Sequence, residues 1–243
     1  MKSMYFAQRN LKEMLRDPLT LAFGVGFPVV LLGLLTIIQN NIPVSMFELD
    51  HLTPGIAVFG LSFISLFSGL LLAKDRSTSF LTRLYSSPLT AGGFITGYCL
   101  PLIPLSLLQG VICYAFALIL GMGFDAKIFL AIIVNIPAMV LFIAIGLLAG
   151  CVFNDKQVGG IVGAVLTNVS AWLSGTWFDL SLMGDGFKGV AYALPFANAV
   201  DAGRAALSGD FAALGKPLLI VSAYAAVVFI LAVLAFRNKM KKN

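Results

Sequence analysis

AKDRSTSFLTRLYSSPLTAGGFITG, residues 73–97, is the stretch whose reading decides the fold. It is a polar segment set between two apolar runs, and it carries helix signals of its own. Lys74, Asp75 and Arg76 stop the apolar run that precedes it. Ser77, Thr78 and Ser79 offer hydroxyl caps, and Phe80, Leu81 and Leu84 follow at i, i+1 and i+4 spacing, which gathers them on one side of a helical turn. Pro88 then ends the helix, because proline disfavours α geometry at the residue before it. The spacing predicts a short amphipathic helix over 74–88, projecting from one face of a membrane protein.

Composition supports the membrane. The 243 residues are 59% hydrophobic and 11% charged, and the mean hydropathy is +0.97. Soluble domains carry roughly 25% charged residues. The chain reads as an all-α integral membrane protein with a single transmembrane domain over 1–243. Its length suffices for six spans of about 20 residues each. They are expected at 19–38 with Pro28, 54–73, 96–120 with Pro101 and Pro104, 128–153, 158–178 and 217–236. Residues 39–54 read as a polar loop holding Glu48, Asp50 and an exposed His51, and 154–157 as a tight turn.

Outward from the spans lie two amphipathic regions. In residues 1–17, Met4, Ala7, Leu11 and Met14 or Leu15 share one helical face, and Lys2, Arg9, Lys12, Glu13 and Arg16 share the other. This predicts an interfacial helix on the inner leaflet. Residues 179–215 are too long for a simple connection and too polar to span. Phe187, Val190, Ala191 and Leu194 sit at i, i+3, i+4 and i+7; Pro195 breaks that helix and starts another, with Phe196, Val200 and Leu207 on one side. Asp201 and Arg204 form an i,i+3 ion pair. Two short helices that dip into one leaflet fit the pattern.

Orientation follows from the basic residues. The leader, the 74–88 stretch, the tight turn and the tail hold Lys2, Arg9, Lys12, Arg16, Lys74, Arg76, Arg83, Lys156, Arg237, Lys239, Lys241 and Lys242. The opposite side holds Lys127, Lys188, Arg204 and Lys216. This excess puts both termini in the cytoplasm, in keeping with six crossings.

The chemistry is defined largely by exclusion. The interiors of the six expected spans carry no ionisable residue, which argues against an ion-driven carrier. No G-x-x-x-x-G-K-[ST] phosphate loop occurs, and Gly215-Lys216 is followed by Pro217; such a chain does not hydrolyse nucleotide by itself. Cys99, Cys113 and Cys151 lack metal-ligand spacing and read as small buried hydrophobes. If a solute moves, the energy arrives from another protein through a cytoplasmic contact. The 154–157 turn is too short to make that contact, whereas 74–88 is long enough. On the fifth span, Asn168 and Trp172 are candidates for a substrate path, and Trp177 reads as an interfacial anchor. Asn135 is expected to bond another helix. The pairs Gly146/Gly150 and Gly159/Gly163, at G-x-x-x-G spacing, favour close helix approach within the chain over a dimer seam.

The stretch DRSTSFLTRLYSSPLTAGGFITGY resembles the loop between the second and third spans of type-2 ATP-binding-cassette export permeases, with Asp75, Arg76, Leu81, Leu84, Ser87, Pro88 and Gly97 at the matching places. RDPLTLAFGVGFPVVLLGLL resembles that family's first span, and SGTWFDL with ALPFANAVDAGRAALSGD its outer region. Relatives often carry Glu and Gly-Thr where this chain has Asp75 and Ser77-Thr78-Ser79. The resemblance implies a non-catalytic permease paired with a second copy or a paralogue, in a bacterial inner membrane. A separate ABC ATPase would bind the coupling helix through Asp75, Arg76, Ser77, Thr78, Phe80, Leu81, Arg83, Leu84, Tyr85 and Pro88, and would itself hold the ATP and Mg²⁺. The chain would bind no cofactor or metal, and residues 1–17 would be the connecting helix. The expected substrate is amphipathic: a drug, an antimicrobial peptide or a lipid-like molecule. Polysaccharide or glycolipid export is the nearest rival. A membrane enzyme acting on lipids is the rival from another class, and His51 with Glu48 and Asp50 would be a poor catalytic cluster for it.

Overall fold

Long apolar runs in lipid must satisfy their backbone groups internally, so they become helices. The computed structural model describes residues 2–43, 47–78 and 90–240. Helix α1 is Lys2–Leu15. A composite helix follows: α2 (Pro18–Leu21), a π-helical stretch (Ala22–Gly26) and α3 (Phe27–Gln39). Then come α4 (Leu49–Ser77), α5 (Ala91–Ile119), α6 (Lys127–Val134) and α7 (Ile136–Val152). A second composite runs through α8 (Asp155–Val158), a π-helical stretch (Gly159–Leu166) and α9 (Thr167–Leu173). A 3-10 turn at Leu180–Met183, α10 (Asp185–Ala193), α11 (Pro195–Ser208) and α12 (Phe211–Met240) complete the order.

Among the described residues, five helices are long and apolar enough to cross a membrane: Pro18–Gln39, Leu49–Ser77, Ala91–Ile119, Lys127–Val152 and Phe211–Met240. The expectation of six is therefore met for five. The segment expected as the fifth span, 158–178, is helical only as far as Leu173, before the positive-φ turn at Gly175; its helix starts earlier, at Asp155 in the expected tight turn, and carries Asn168.

Two ends of the bundle can be told apart. At one, Phe6 of α1 stands edge-on to Phe94 and Tyr98 of α5, with ring centroids 5.8 and 4.8 Å apart. Phe94 in turn meets Phe236 near the end of α12 at 5.4 Å. Arg76 at the end of α4 donates from Nη1 to the Gly150 carbonyl of α7 at 2.5 Å. At the other end, Arg204 of α11 donates from Nε to the His51 carbonyl at 3.1 Å and from Nη2 to the Gly175 carbonyl at 2.9 Å. Lys127 Nζ donates to the Ser208 carbonyl there.

The tightest packing is between α4 and α7. A Cβ on Gly146 would strike the Ser65 carbonyl and the Ser68 hydroxyl, and one on Gly150 would lie 2.5 Å from the Gly69 carbonyl. The intrachain reading of this glycine pair is correct. Gly159 faces open space, and Gly163 rests on Leu66.

Three local expectations are corrected. Lys74, Asp75 and Arg76 end the apolar run but not the helix, which continues through Ser77. The loop at 39–54 is shorter than expected, because α4 begins at Leu49; His51 lies in its first turn. The buried face of α1 is Phe6, Ala7, Asn10 and Met14, while Met4 and Leu15 are exposed. The aromatic rings of α5 select that face by packing against Phe6.

Candidate functional site

The last turns of α4, the middle of α1 and the first turns of α5 converge on one carboxylate. Asp75 is 4% exposed. Arg9 of α1 grips both of its oxygens, Nη1 to Oδ2 at 2.7 Å and Nη2 to Oδ1 at 3.0 Å. The Tyr98 hydroxyl of α5 donates to Oδ2 at 2.7 Å. A two-pronged guanidinium contact is among the strongest ways to pair a carboxylate. Burial on its own would lower the Arg9 pKa; the hydrogen bonds and charge of Asp75 outweigh it, so the net shift is upward.

Asn10 braces this group from below. It is fully buried, accepts from Arg9 Nη1 at 3.0 Å and donates to the Gly97 carbonyl at 3.2 Å. Glu13 pairs with Arg9 from the outer side at 2.7 Å. Together, these bonds tie the leader to the end of the second apolar helix and the start of the third.

Two of the hydroxyls after Asp75, those of Ser77 and Thr78, bond backward into α4. Ser77 Oγ donates to the Lys74 carbonyl at 2.8 Å, and Thr78 Oγ1 donates to the Asp75 carbonyl at 3.0 Å. They close the C-terminal end of α4, and Ser79, the third expected cap, lies outside the described residues. Asp75 and Arg76 spend their side chains within the bundle, whereas Ser77 and Thr78 are exposed. Phe80, Leu81, Arg83, Leu84, Tyr85 and Pro88 lie outside the described residues. Asp75 is thus an internal anchor immediately before that segment.

The opposite end has its own anchor. Besides its two carbonyl bonds, Arg204 pairs with Asp201 at 3.7 Å, as the i,i+3 spacing predicts. Burial pulls the Arg204 pKa down, and Asp201 opposes only part of that effect. Tyr192 donates its hydroxyl to Asp201 at 2.8 Å.

Asn168 and Trp172, the candidates for a substrate path, share an exposed stripe with Ile161 and Val165. Asn168 Nδ2 donates back to the Ala164 carbonyl of its own helix at 2.8 Å. Trp177 packs edge-on against Phe59 at 5.4 Å. Asn135 separates α6 from α7 and is buried, with Oδ1 unpaired among the described residues; the helix-to-helix bond expected of it is absent at that oxygen. The three cysteines are free and buried. Sequence reasoning missed Asn10 and Tyr98 and placed Arg9 on a solvated face. The available signal was one amide inside the apolar side of the leader and one tyrosine directly after Gly97.

Apolar helices of spanning length, polar anchors at both ends and an amphipathic leader folded against the bundle define a multi-pass membrane protein. The chain belongs to the ABC-2 type transporter family, which it matches over residues 3–207. It is accordingly the transmembrane permease of an ATP-binding-cassette transporter, a family that transports together with an ABC ATPase. No curated protein matches the chain.

Proposed function

We propose that this permease belongs to an exporter and crosses the membrane six times, with both termini in the cytoplasm and a second copy or paralogue as its partner. The ABC ATPase docks on 74–88 and holds the ATP and Mg²⁺. The observation that carries the topology is the meeting of Phe6, Phe94 and Phe236, because an even number of crossings returns both termini to one side. The sixth crossing is the composite helix from Asp155 to Leu173. Asp155 lines a cleft with Arg9 and Lys74, and Gly175, beyond the other end, bonds Arg204. Those helical turns rise roughly 25–28 Å, close to the hydrocarbon thickness of a bilayer. Helices α10 and α11 are then outer elements that enter one leaflet.

An amphipathic substrate is supported by the stripe of Ile161, Val165, Asn168 and Trp172, which is apolar apart from one amide. This is the surface offered to a second permease across a shared path.

The ATPase contact is tested at Leu84. Burying one leucine contributes roughly 1.5–3 kcal/mol, or about ten- to a hundredfold in affinity. Leu84→Asp is expected to abolish co-purification of the ATPase and ATP-dependent transport while the permease stays monodisperse. Arg83→Ala is expected to cost less, since exposed pairs contribute about 0–1 kcal/mol. Full ATPase capture and full transport by Leu84→Asp would refute docking at this stretch.

A further inference from the structure

A cleft of about 1050 Å³ opens between α1, the start of the first apolar helix, the last turns of α4 and Asp155. Its wall on α4 is formed by Phe67, Leu70, Leu71 and Lys74, at i, i+3, i+4 and i+7 on one helical face. Ascending from Lys74 to Phe67 covers about 10 Å, and the wall changes from charged to apolar over that distance. This is the depth over which a lipid changes from headgroup to acyl chain.

The charges at the mouth are unevenly committed. Glu13 is paired with Arg9. Asp17 accepts from the Leu19 backbone at 3.2 Å and the Thr20 hydroxyl at 2.7 Å, capping α2. Asp155 accepts from the Lys156 backbone at 2.9 Å. Arg9 is held by Asp75. The side chains of Lys12, Arg16 and Lys74, which line the same cleft, have no ion pair or hydrogen bond among the described residues.

We propose that this cleft holds an anionic phospholipid of the inner leaflet, its phosphate among Lys12, Arg16 and Lys74 and one acyl chain along Phe67, Leu70 and Leu71. The orientation rests on the cytoplasmic placement proposed above. A soluble anion would leave the apolar wall wet, and a neutral amphiphile would leave three cations unpaired; an anionic lipid meets both needs. Cations near an anionic lipid are each worth about fivefold.

The test is native mass spectrometry of the purified full-length chain with dioleoyl phosphatidylglycerol and dioleoyl phosphatidylcholine. The expected result is a preference for the anionic lipid on the order of 100-fold. It should fall to near unity in Lys12→Gln/Arg16→Gln/Lys74→Gln and by about fivefold in Lys74→Gln alone, with elution profiles unchanged. A control, Lys127→Gln/Lys188→Gln/Lys216→Gln, should retain the preference. Undiminished preference in Lys74→Gln, or equal loss in the control, would overturn the proposal. Displacement of the lipid by millimolar glycerol phosphate would also overturn it, as the mark of a soluble-anion site. The measurement needs no ATPase: a Leu84→Asp chain that loses the ATPase should still retain phosphatidylglycerol, so the two readings fail separately.

Discussion

A carboxylate buried as deeply as Asp75 keeps its charge only where donors replace the water it has lost. Arg9 and Tyr98 supply three hydrogen bonds to it, and removing either side of the ion pair strands the other. Hydrogen bonds to charged groups are worth about 1.5–3 kcal/mol, so Asp75→Asn and Arg9→Ala are each expected to destabilise the permease by about that amount. Arg9→Lys should restore little, because a point charge does not span both carboxylate oxygens. In thermal unfolding of the purified chain, Arg9→Ala/Asp75→Ala should cost less than the two single changes to alanine added together. A coupling energy below about 0.5 kcal/mol would show that the two residues act independently.

Helix α4 meets α7 with backbone nearly touching backbone, and that contact depends on Gly146 and Gly150. Gly146→Ala forces the helices apart and is expected to lower stability by about 1–3 kcal/mol, the usual cost of overpacking. Gly159→Ala enters open space and should be neutral or slightly stabilising. Comparing the unfolding midpoints of the two variants checks this, and equal losses would refute it. The two G-x-x-x-G pairs look alike in sequence; only the neighbours separate them, the Ser65 backbone and the Ser68 hydroxyl against Gly146, but open space at Gly159 and a flexible Leu66 side chain at Gly163. The same limit hid the direction of Asp75. A Lys-Asp-Arg run reads as a stop because charge is costly in lipid, yet a helix continues through such a run when other helices bring partners. Here those partners are 66 and 23 residues away in sequence. The face of α1 was ambiguous for a related reason: Met4-Ala7-Leu11 and Phe6-Asn10-Met14 both fit a helical period. The spans were legible because hydropathy is local, and the Asp201/Arg204 pair because it lies within one turn.

For the whole molecule, the sidedness of the termini has a direct test. With both in the cytoplasm, Asp185→Cys is expected to react with an impermeant maleimide added outside intact cells, and Ser79→Cys is expected to react only after permeabilisation. The native cysteines are all buried, so they need not be removed. The reverse pattern would invert the orientation, and external labelling at both positions would refute an even number of crossings.

Helix α4 has 29 residues, about 44 Å of length, and no proline between residues 55 and 77 at which to bend. Its N-terminal end is bonded through His51 and its C-terminal end through Asp75, while the crossing of Ser65, Ser68 and Gly69 with Gly146 and Gly150 lies between them. That crossing lies off-centre along the helix. The arm toward Asp75 is about 12 Å and the arm toward His51 about 24 Å. Were α4 to tilt as a rigid rod about that crossing, a displacement at Asp75 would be matched by one of opposite sense and roughly twice the size at His51, where Arg204 is bonded.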